Sequence, residues 1–192
     1  MIEPVSIGLI GCGVISSAYL KAASTFNVLN FTACADIDAE ASARCGETFD
    51  IPSMTVDELL ARSDIEVILN LTIPSAHADV NLAALQSGKH AYCEKPFALN
   101  TIEGQRVIRT AQEQRLRVGC APDTFLGGGH QTVRNAIDEG VVGQPIAGTA
   151  FMMNHGHESW HPNPAFYYQE GGGPLFDMGP YYLTALVNAL GP

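Results

Sequence analysis

The sequence predicts an α/β fold, a doubly wound parallel sheet followed by the beginning of a second, α+β domain. Three observations carry this expectation. A short apolar run, Val5 to Ile10, enters Gly11-Cys12-Gly13 and then a helix-forming stretch from Val14 to Phe26. Short β-rich runs then alternate with helical patterns as far as Ala121, the signature of successive βαβ units. From Pro122 the alternation stops, and glycine clusters, histidines, prolines and aromatic residues take over. The expected division is therefore 1–121 for the first domain and 122–192 for the first part of the second.

Each element of the first part has its own signal. Phe31 to Ala35 reads as a second strand ending at Asp36, and Ala39 to Thr48 as a helix. Thr55 to Arg62 is a shorter helix, with Thr55 and Glu58 spaced as a capping box. Glu66 to Leu71 is a buried strand; Pro74 and Ser75 open a helix that runs to Gln86 and stops at Gly88. His90 to Cys93 is a strand leading into Glu94-Lys95-Pro96. Asn100 or Thr101 opens a long helix to Arg115, and Arg117 to Ala121 is the last strand of the series. Beyond it, the pattern predicts a helix over His130 to Glu139, a strand over Ile146 to Asn154, and an apolar helix reaching Leu190. A lone strand cannot make a sheet, because its backbone groups need neighbours.

Composition narrows the function. Among 192 residues, 46% are hydrophobic and 16% charged, which suits an ordered globular protein, and the net charge of −10 argues against a nucleic-acid partner. The five cysteines, Cys12, Cys34, Cys45, Cys93 and Cys120, form no Cys-x-x-Cys pair. They suit reduced thiols packed as small apolar groups in a cytoplasmic protein. No basic residue precedes the first apolar run, so a signal peptide is not expected. No apolar stretch approaches the ~20 residues of a membrane span.

Ligands of a doubly wound sheet bind outside the carboxyl ends of its strands. Gly11, Asp36, Thr72 and Glu94-Lys95-Pro96 all fall at that edge. A strand, a glycine turn and a helix in that order admit a dinucleotide pyrophosphate. The backbone of Gly11, Cys12, Gly13, Val14 and Ile15 can approach the phosphates, and the helix N-terminus offers free N–H groups. By itself the pattern also describes a tight turn with no ligand, and Ser16 stands where a third glycine is usual. Asp36 lies at the distance, ~20 residues on, expected of a ribose-binding carboxylate, although a turn or cap residue would look the same. A carboxylate there repels a 2′-phosphate, and neither residue 37 nor residue 39 is Arg or Lys. NAD is favoured over NADP.

The glycine turn, Thr72-Ile73-Pro74, His77, Gly88-Lys89-His90 and Glu94-Lys95-Pro96 resemble the Gfo/Idh/MocA oxidoreductases. So does Gly171-Gly172-Gly173 followed by Asp177-Met178-Gly179. The resemblance implies a Rossmann domain followed by an open antiparallel sheet that shapes the substrate site and commonly mediates homo-oligomers. It implies a chain longer than this one, so the second sheet is expected to be truncated here. It also implies hydride transfer between a nicotinamide cofactor and a carbon of a sugar, cyclitol or related polyol. Leu71, Thr72, Pro74, His77, Glu94 and Lys95 would join the turn and Asp36 around the cofactor. Lys95, Asp177 and Tyr181 would be catalytic and would touch substrate. Some members of the family only sense NAD, which is the alternative function.

Oxidising an alcohol needs a base as well as a hydride acceptor. Many members carry a His four residues after the Asp; here that place is Tyr181, as in the glucose–fructose oxidoreductase branch. A tyrosine titrates at about 10 when unperturbed, and the Lys95 ammonium and a cationic nicotinamide would favour its phenolate. Asp177 would share a helix face with Tyr181 if both are helical. Spacing alone leaves plainer roles open: Lys95 as a surface lysine paired with Glu94, Tyr181 and Tyr182 as helix packing, Asp177 as a cap. The loop from His155 to His161 has a His-x-His followed by a third His, which invites a metal. Sugar hydrogen bonding by His157 and stacking on Trp160 or Tyr167 suit the family better, and no metal is expected. Asp123 and Thr124, just past the last strand, are further substrate candidates.

Overall fold

The structure, a computed structural model, describes residues 3–159 and 164–191. The chain divides into two compact units, residues 1–120 and 121–192. The first begins with β1 (Val5–Ile10), α1 (Ser16–Ala23), β2 (Leu29–Ala35), α2 (Ala39–Phe49), β3 (Ser53–Met54) and α3 (Val56–Ala61). It continues with β4 (Val67–Asn70), α4 (His77–Gln86), β5 (His90–Glu94), α5 (Thr101–Gln114) and β6 (Val118–Ala121). The strands form one six-stranded sheet in the order β3-β2-β1-β4-β5-β6. This is the doubly wound Rossmann arrangement, with its switch point at β1 and β4. The ladders joining β3, β2, β1, β4 and β5 are all parallel.

Period-two alternation sorts the strand side chains to two faces. Ile10, Ala33, Ala35, Ile68 and Ala91 pack with Leu59 of α3 and Ala84 of α4. Ile7, Leu9, Cys34 and Leu69 pack with Leu20 of α1 and Cys45 of α2. Both faces are covered, so the strands read as continuous apolar runs, as parallel sheets require. A third cluster joins Leu82 and Leu85 of α4 to Val107 and Ala111 of α5.

The helix starts follow their capping residues. Asp38 accepts from the N–H groups of Glu40 and Ala41 at the head of α2. Thr55 and Glu58 form the complete capping box of α3, and Asn100 accepts from Glu103 N–H at α5. α1 is shorter than its apolar pattern suggests, because Val14 and Ile15 belong to the turn and are exposed. β3 had no signal in the sequence: two residues display no period.

The second unit contains α6 (Gly128–Asp138), α7 (Gly173–Asp177) and α8 (Gly179–Leu190). Arg134 holds α6 to the end of α8, donating to the carbonyls of Asn188 (2.7 Å) and Ala189 (3.1 Å) while it pairs with Asp138 (2.6 Å). The strand expected over Ile146 to Asn154 is absent. No ladder partner lies beside that segment among the described residues, so its backbone gains nothing from a strand conformation. The helix expected to reach Leu190 is broken at Met178, which ends α7 and starts α8. No helix among the described residues is long and apolar enough to cross a membrane.

Leu59 is completely buried where α3 meets the sheet, whereas Ile37 is fully exposed. Leu59→Ala is expected to lower the unfolding free energy by about 2–5 kcal/mol in urea denaturation, and Ile37→Ala by no more than roughly 0.5 kcal/mol.

Candidate active site

The turn after β1 is built on Gly11. Its φ is +101°, and a Cβ there would lie 2.5 Å from the Leu71 carbonyl carbon and 2.6 Å from both the Leu71 oxygen and the Thr72 nitrogen. Only glycine lets the end of β1 lie this close to the end of β4. Nothing lies within 4 Å of a Cβ on Gly13, so that position faces open space. α1 then starts with no side-chain cap, and its Ser16 N–H is taken by the Gly13 carbonyl at 3.1 Å. The N–H groups of Val14 and Ile15, in the turn ahead of it, are the donors that suit an anion in front of the helix. Ser16, in the place of the third glycine, is buried and donates to the Gly13 carbonyl at 2.7 Å.

Asp36 stands at the end of β2 beside this turn. One carboxylate oxygen accepts the Cys12 N–H at 2.7 Å, and the other accepts the Asp38 N–H at 2.9 Å. Each oxygen has a second lone pair, so these bonds orient the carboxylate and still leave it able to accept from hydroxyl groups. An open turn, an uncapped helix N-terminus and an oriented carboxylate fit a dinucleotide.

The ends of β4 and β5 are joined by a buried polar network that sequence reasoning missed in part. Asn70, with no exposure, donates to the carbonyl of His77 and to Asn81 Oδ1, each at 3.0 Å. Its own oxygen accepts from Thr72 Oγ1 (2.6 Å) and Thr72 N–H (3.2 Å). His77 is 1% exposed, and its ring nitrogens face the carbonyl oxygens of Pro96 (2.6 Å) and Thr72 (2.9 Å). His77 therefore links the two strand ends from within, whereas Pro74 opens the turn that precedes α4. Glu94 accepts from Tyr19 Oη (2.8 Å) and from Lys95 N–H (2.9 Å), which fixes the strand end that carries Lys95. The Lys95–Pro96 peptide is cis.

In the second unit the structure brings His157 and Asp177 together. His157 Nε2 lies 3.4 Å from Asp177 Oδ2, and the buried imidazole stacks on Tyr167 with ring centroids 3.9 Å apart. Burial, with the Asp177 and Glu158 charges, pushes the Tyr167 phenol above its ordinary range. A pocket beside them is lined by Met152, Asn154, His157, Asp177 and Tyr182, among others. Tyr181 is not among its lining residues, and with Asp177 at the end of α7 the two do not share one helix. Asp123 and Thr124 lie at a 3-10 turn after β6. Trp160 and His161 lie outside the described residues.

A family model described as an oxidoreductase family with an NAD-binding Rossmann fold matches residues 5–121, and one for the GFO/IDH/MocA C-terminal domain matches residues 130–192. The chain belongs to the GFO/IDH/MocA oxidoreductase family. The inositol 2-dehydrogenase of Salmonella typhimurium is 32% identical over 144 residues, which is 72% of this chain and 43% of that protein. The 1,5-anhydro-D-fructose reductase of Ensifer adhaerens is 32% identical over 97 residues, 50% of this chain and 29% of that one. Among solved structures, an NAD binding oxidoreductase from Klebsiella pneumoniae superposes with a TM-score of 0.79 over 98% of this chain and 54% of its own, at 24% identity. A 3-ketoreductase from Actinomadura kijaniata in complex with NADP gives a TM-score of 0.66 at 29% identity, over 74% and 46% of the two chains. The chain spans about half the length of the curated relatives it matches. The GFO/IDH/MocA fold thus accounts for the sheet and for the partly present second domain.

Asn70 is the hub of the strand-end network. Asn70→Leu leaves the carbonyl of His77, the Asn81 oxygen and the Thr72 hydroxyl without their partner. It is expected to cost about 2–4 kcal/mol in urea denaturation.

Proposed function

We propose that this protein is an NAD-dependent oxidoreductase that transfers a hydride between the nicotinamide cofactor and a CH–OH carbon of a sugar, cyclitol or related polyol. The observation that carries the reading is the seating of Gly11 against the Leu71 carbonyl. It opens an uncapped helix N-terminus beside an oriented Asp36 carboxylate, in a chain of the GFO/IDH/MocA family. Gly11, Gly13 and the N-terminal N–H groups from Val14 and Ile15 would hold the pyrophosphate, and Asp36 the adenosine ribose. Leu71, Thr72, Pro74, Glu94 and Lys95 would border the nicotinamide side. When bound, the cofactor supplies the hydride acceptor or donor.

The preference for NAD over NADP rests on charge. Asp36 would stand against a 2′-phosphate, and the neighbouring side chain is the uncharged, fully exposed Ile37. Asp36→Ala combined with Ile37→Arg is therefore expected to shift the Kd ratio toward NADP by tenfold or more, on the order of 1.4 kcal/mol, in calorimetric titrations with each dinucleotide. An unchanged ratio would remove the argument for NAD.

The chain's own residues would manage the proton. Lys95 would orient the substrate hydroxyl with its ammonium, and Asp177 would hold a second hydroxyl or a neighbouring cation. Tyr181 is the base favoured by its place after Asp177. The contact of His157 with Asp177 favours a second reading, in which His157 carries the proton and Asp177 orients it. Turnover of a polyol panel, followed by NADH absorbance, separates these. Lys95→Met should lower kcat by about a hundredfold or more, as should Tyr181→Phe or His157→Gln according to which carries the proton. Tight dinucleotide binding with no turnover of any polyol would favour a non-catalytic, NAD-sensing protein of the same fold.

A further inference from the structure

Three thiols from three different elements meet beside the glycine turn. Cys12 comes from the turn itself, Cys34 from β2 and Cys45 from α2, and their sulfur atoms all lie within 4.8 Å of one another. Among the described residues this is the only such grouping of histidine, cysteine and carboxylate ligands. Cys34 is fully buried, Cys45 nearly so and Cys12 half-buried. Cys12 and Cys45 also line a surface pocket with Ser16, Ser17, Arg44 and Thr48, which opens the cluster to solutes.

We propose that Cys12, Cys34 and Cys45 form a three-sulfur binding site for a thiophilic cation of the zinc(II) class, with the fourth coordination position facing the pocket. The spacing suits an ion. Zinc–sulfur bonds of about 2.3 Å place the sulfurs of a tetrahedral site roughly 3.8 Å apart, so this cluster reaches that geometry by closing about 1 Å or less. A disulfide would require two of these sulfurs to approach to about 2.05 Å, a larger movement for side chains rooted in a strand, a helix and a packed turn.

Ligation of a divalent cation would replace three thiol protons and leave a single net negative charge within reach of Arg44 in the pocket. Buried thiols alone pack as apolar groups; three converging on one opening have a ligand geometry as well.

The site also bears on the cofactor loop. Cys12 lies between Gly11 and Gly13, and its N–H is the one that Asp36 accepts. Drawing its sulfur toward Cys34 and Cys45 alters the turn that would hold the pyrophosphate. This coupling rests on the dinucleotide reading above; the ion site itself does not.

The test is a titration of the full chain, reduced and metal-free, with Cd(II) followed by thiolate-to-cadmium charge-transfer absorption. Zn(II) is measured alongside in competition with a chromophoric chelator. One ion per chain is expected, with a band of three-thiolate intensity that Zn(II) displaces. Cys12→Ser and Cys45→Ser, with circular dichroism unchanged, should each weaken binding at least about tenfold. Cys93→Ser/Cys120→Ser should bind as the parent does. No charge-transfer band, or a band whose intensity and midpoint are unchanged in Cys12→Ser, overturns the site. Dinucleotide affinity is then measured with and without Zn(II), and a several-fold change supports the coupling while equal affinities overturn it. Failure of the metal-free chain to bind any dinucleotide counts against the cofactor reading and the coupling, and leaves the ion titration to stand by itself.

Discussion

The close approach of β1 to the end of β4 is the constraint on which the rest of the first unit depends. At Gly11 a single added carbon would sit 2.5 Å from the Leu71 carbonyl carbon, inside any tolerable contact. Because that carbon is missing, the chain can leave β1, pass over the β4 edge and enter α1 within a few residues. The same turn brings the Cys12 N–H to Asp36 and so ties β2 to the exit of β1. Three strand ends are thereby registered to one another at the edge where a ligand of a doubly wound sheet binds.

The second half of that edge is held by buried polar groups instead of by close backbone contact. Asn70 and His77 satisfy carbonyls and hydroxyls that would otherwise be orphaned where β4 and β5 end. Such a network stabilises to the extent that its groups are paired, and here every bond closes except at the buried Asn81 Nδ2, which has no partner among the described residues. It fixes Thr72 and Pro96 on either side of α4, and so sets the direction from which Lys95 leaves its strand. Glu94 adds a peripheral tie, since Tyr19 of α1 reaches across to it. The turn and the Lys95 strand end therefore share α1 as a common support.

Much of this was legible in the sequence because the signals were local. Strand limits followed apolar runs, helix starts followed Thr55 and Asn100, and Asp36 was found by its distance from Gly11. What escaped was non-local or had no period. The pairing of Cys12, Cys34 and Cys45 depends on β1, β2 and α2 packing together, and the separations along the chain carry no trace of it. The His157–Asp177 contact joins a loop to the end of a helix, so only their separate roles could be suggested. Met178 breaks a stretch whose apolar pattern runs without interruption, and the sequence cue was Pro180, which is tolerated only in a first turn. Residues 146–154 alternate as a strand should, but alternation describes a face and not a partner.

Ser16 shows how the turn accommodates its departure from three glycines. The third glycine of the pattern permits close packing of helix against strand, and a serine brings a Cβ and a hydroxyl to that contact. Here the side chain is almost fully buried, and its hydroxyl donates to the Gly13 carbonyl at 2.7 Å. The backbone N–H of Ser16 donates to the same carbonyl at 3.1 Å. The hydroxyl thus adds a second donor to an oxygen that the backbone N–H already bonds, and it satisfies its own buried O–H in doing so. The hydroxyl is directed back into the turn and not toward the front of the helix. The front, with Gly13 open and α1 uncapped, stays accessible to an anion. Ser16 therefore braces the turn from behind and leaves Gly13 open at the uncapped start of α1.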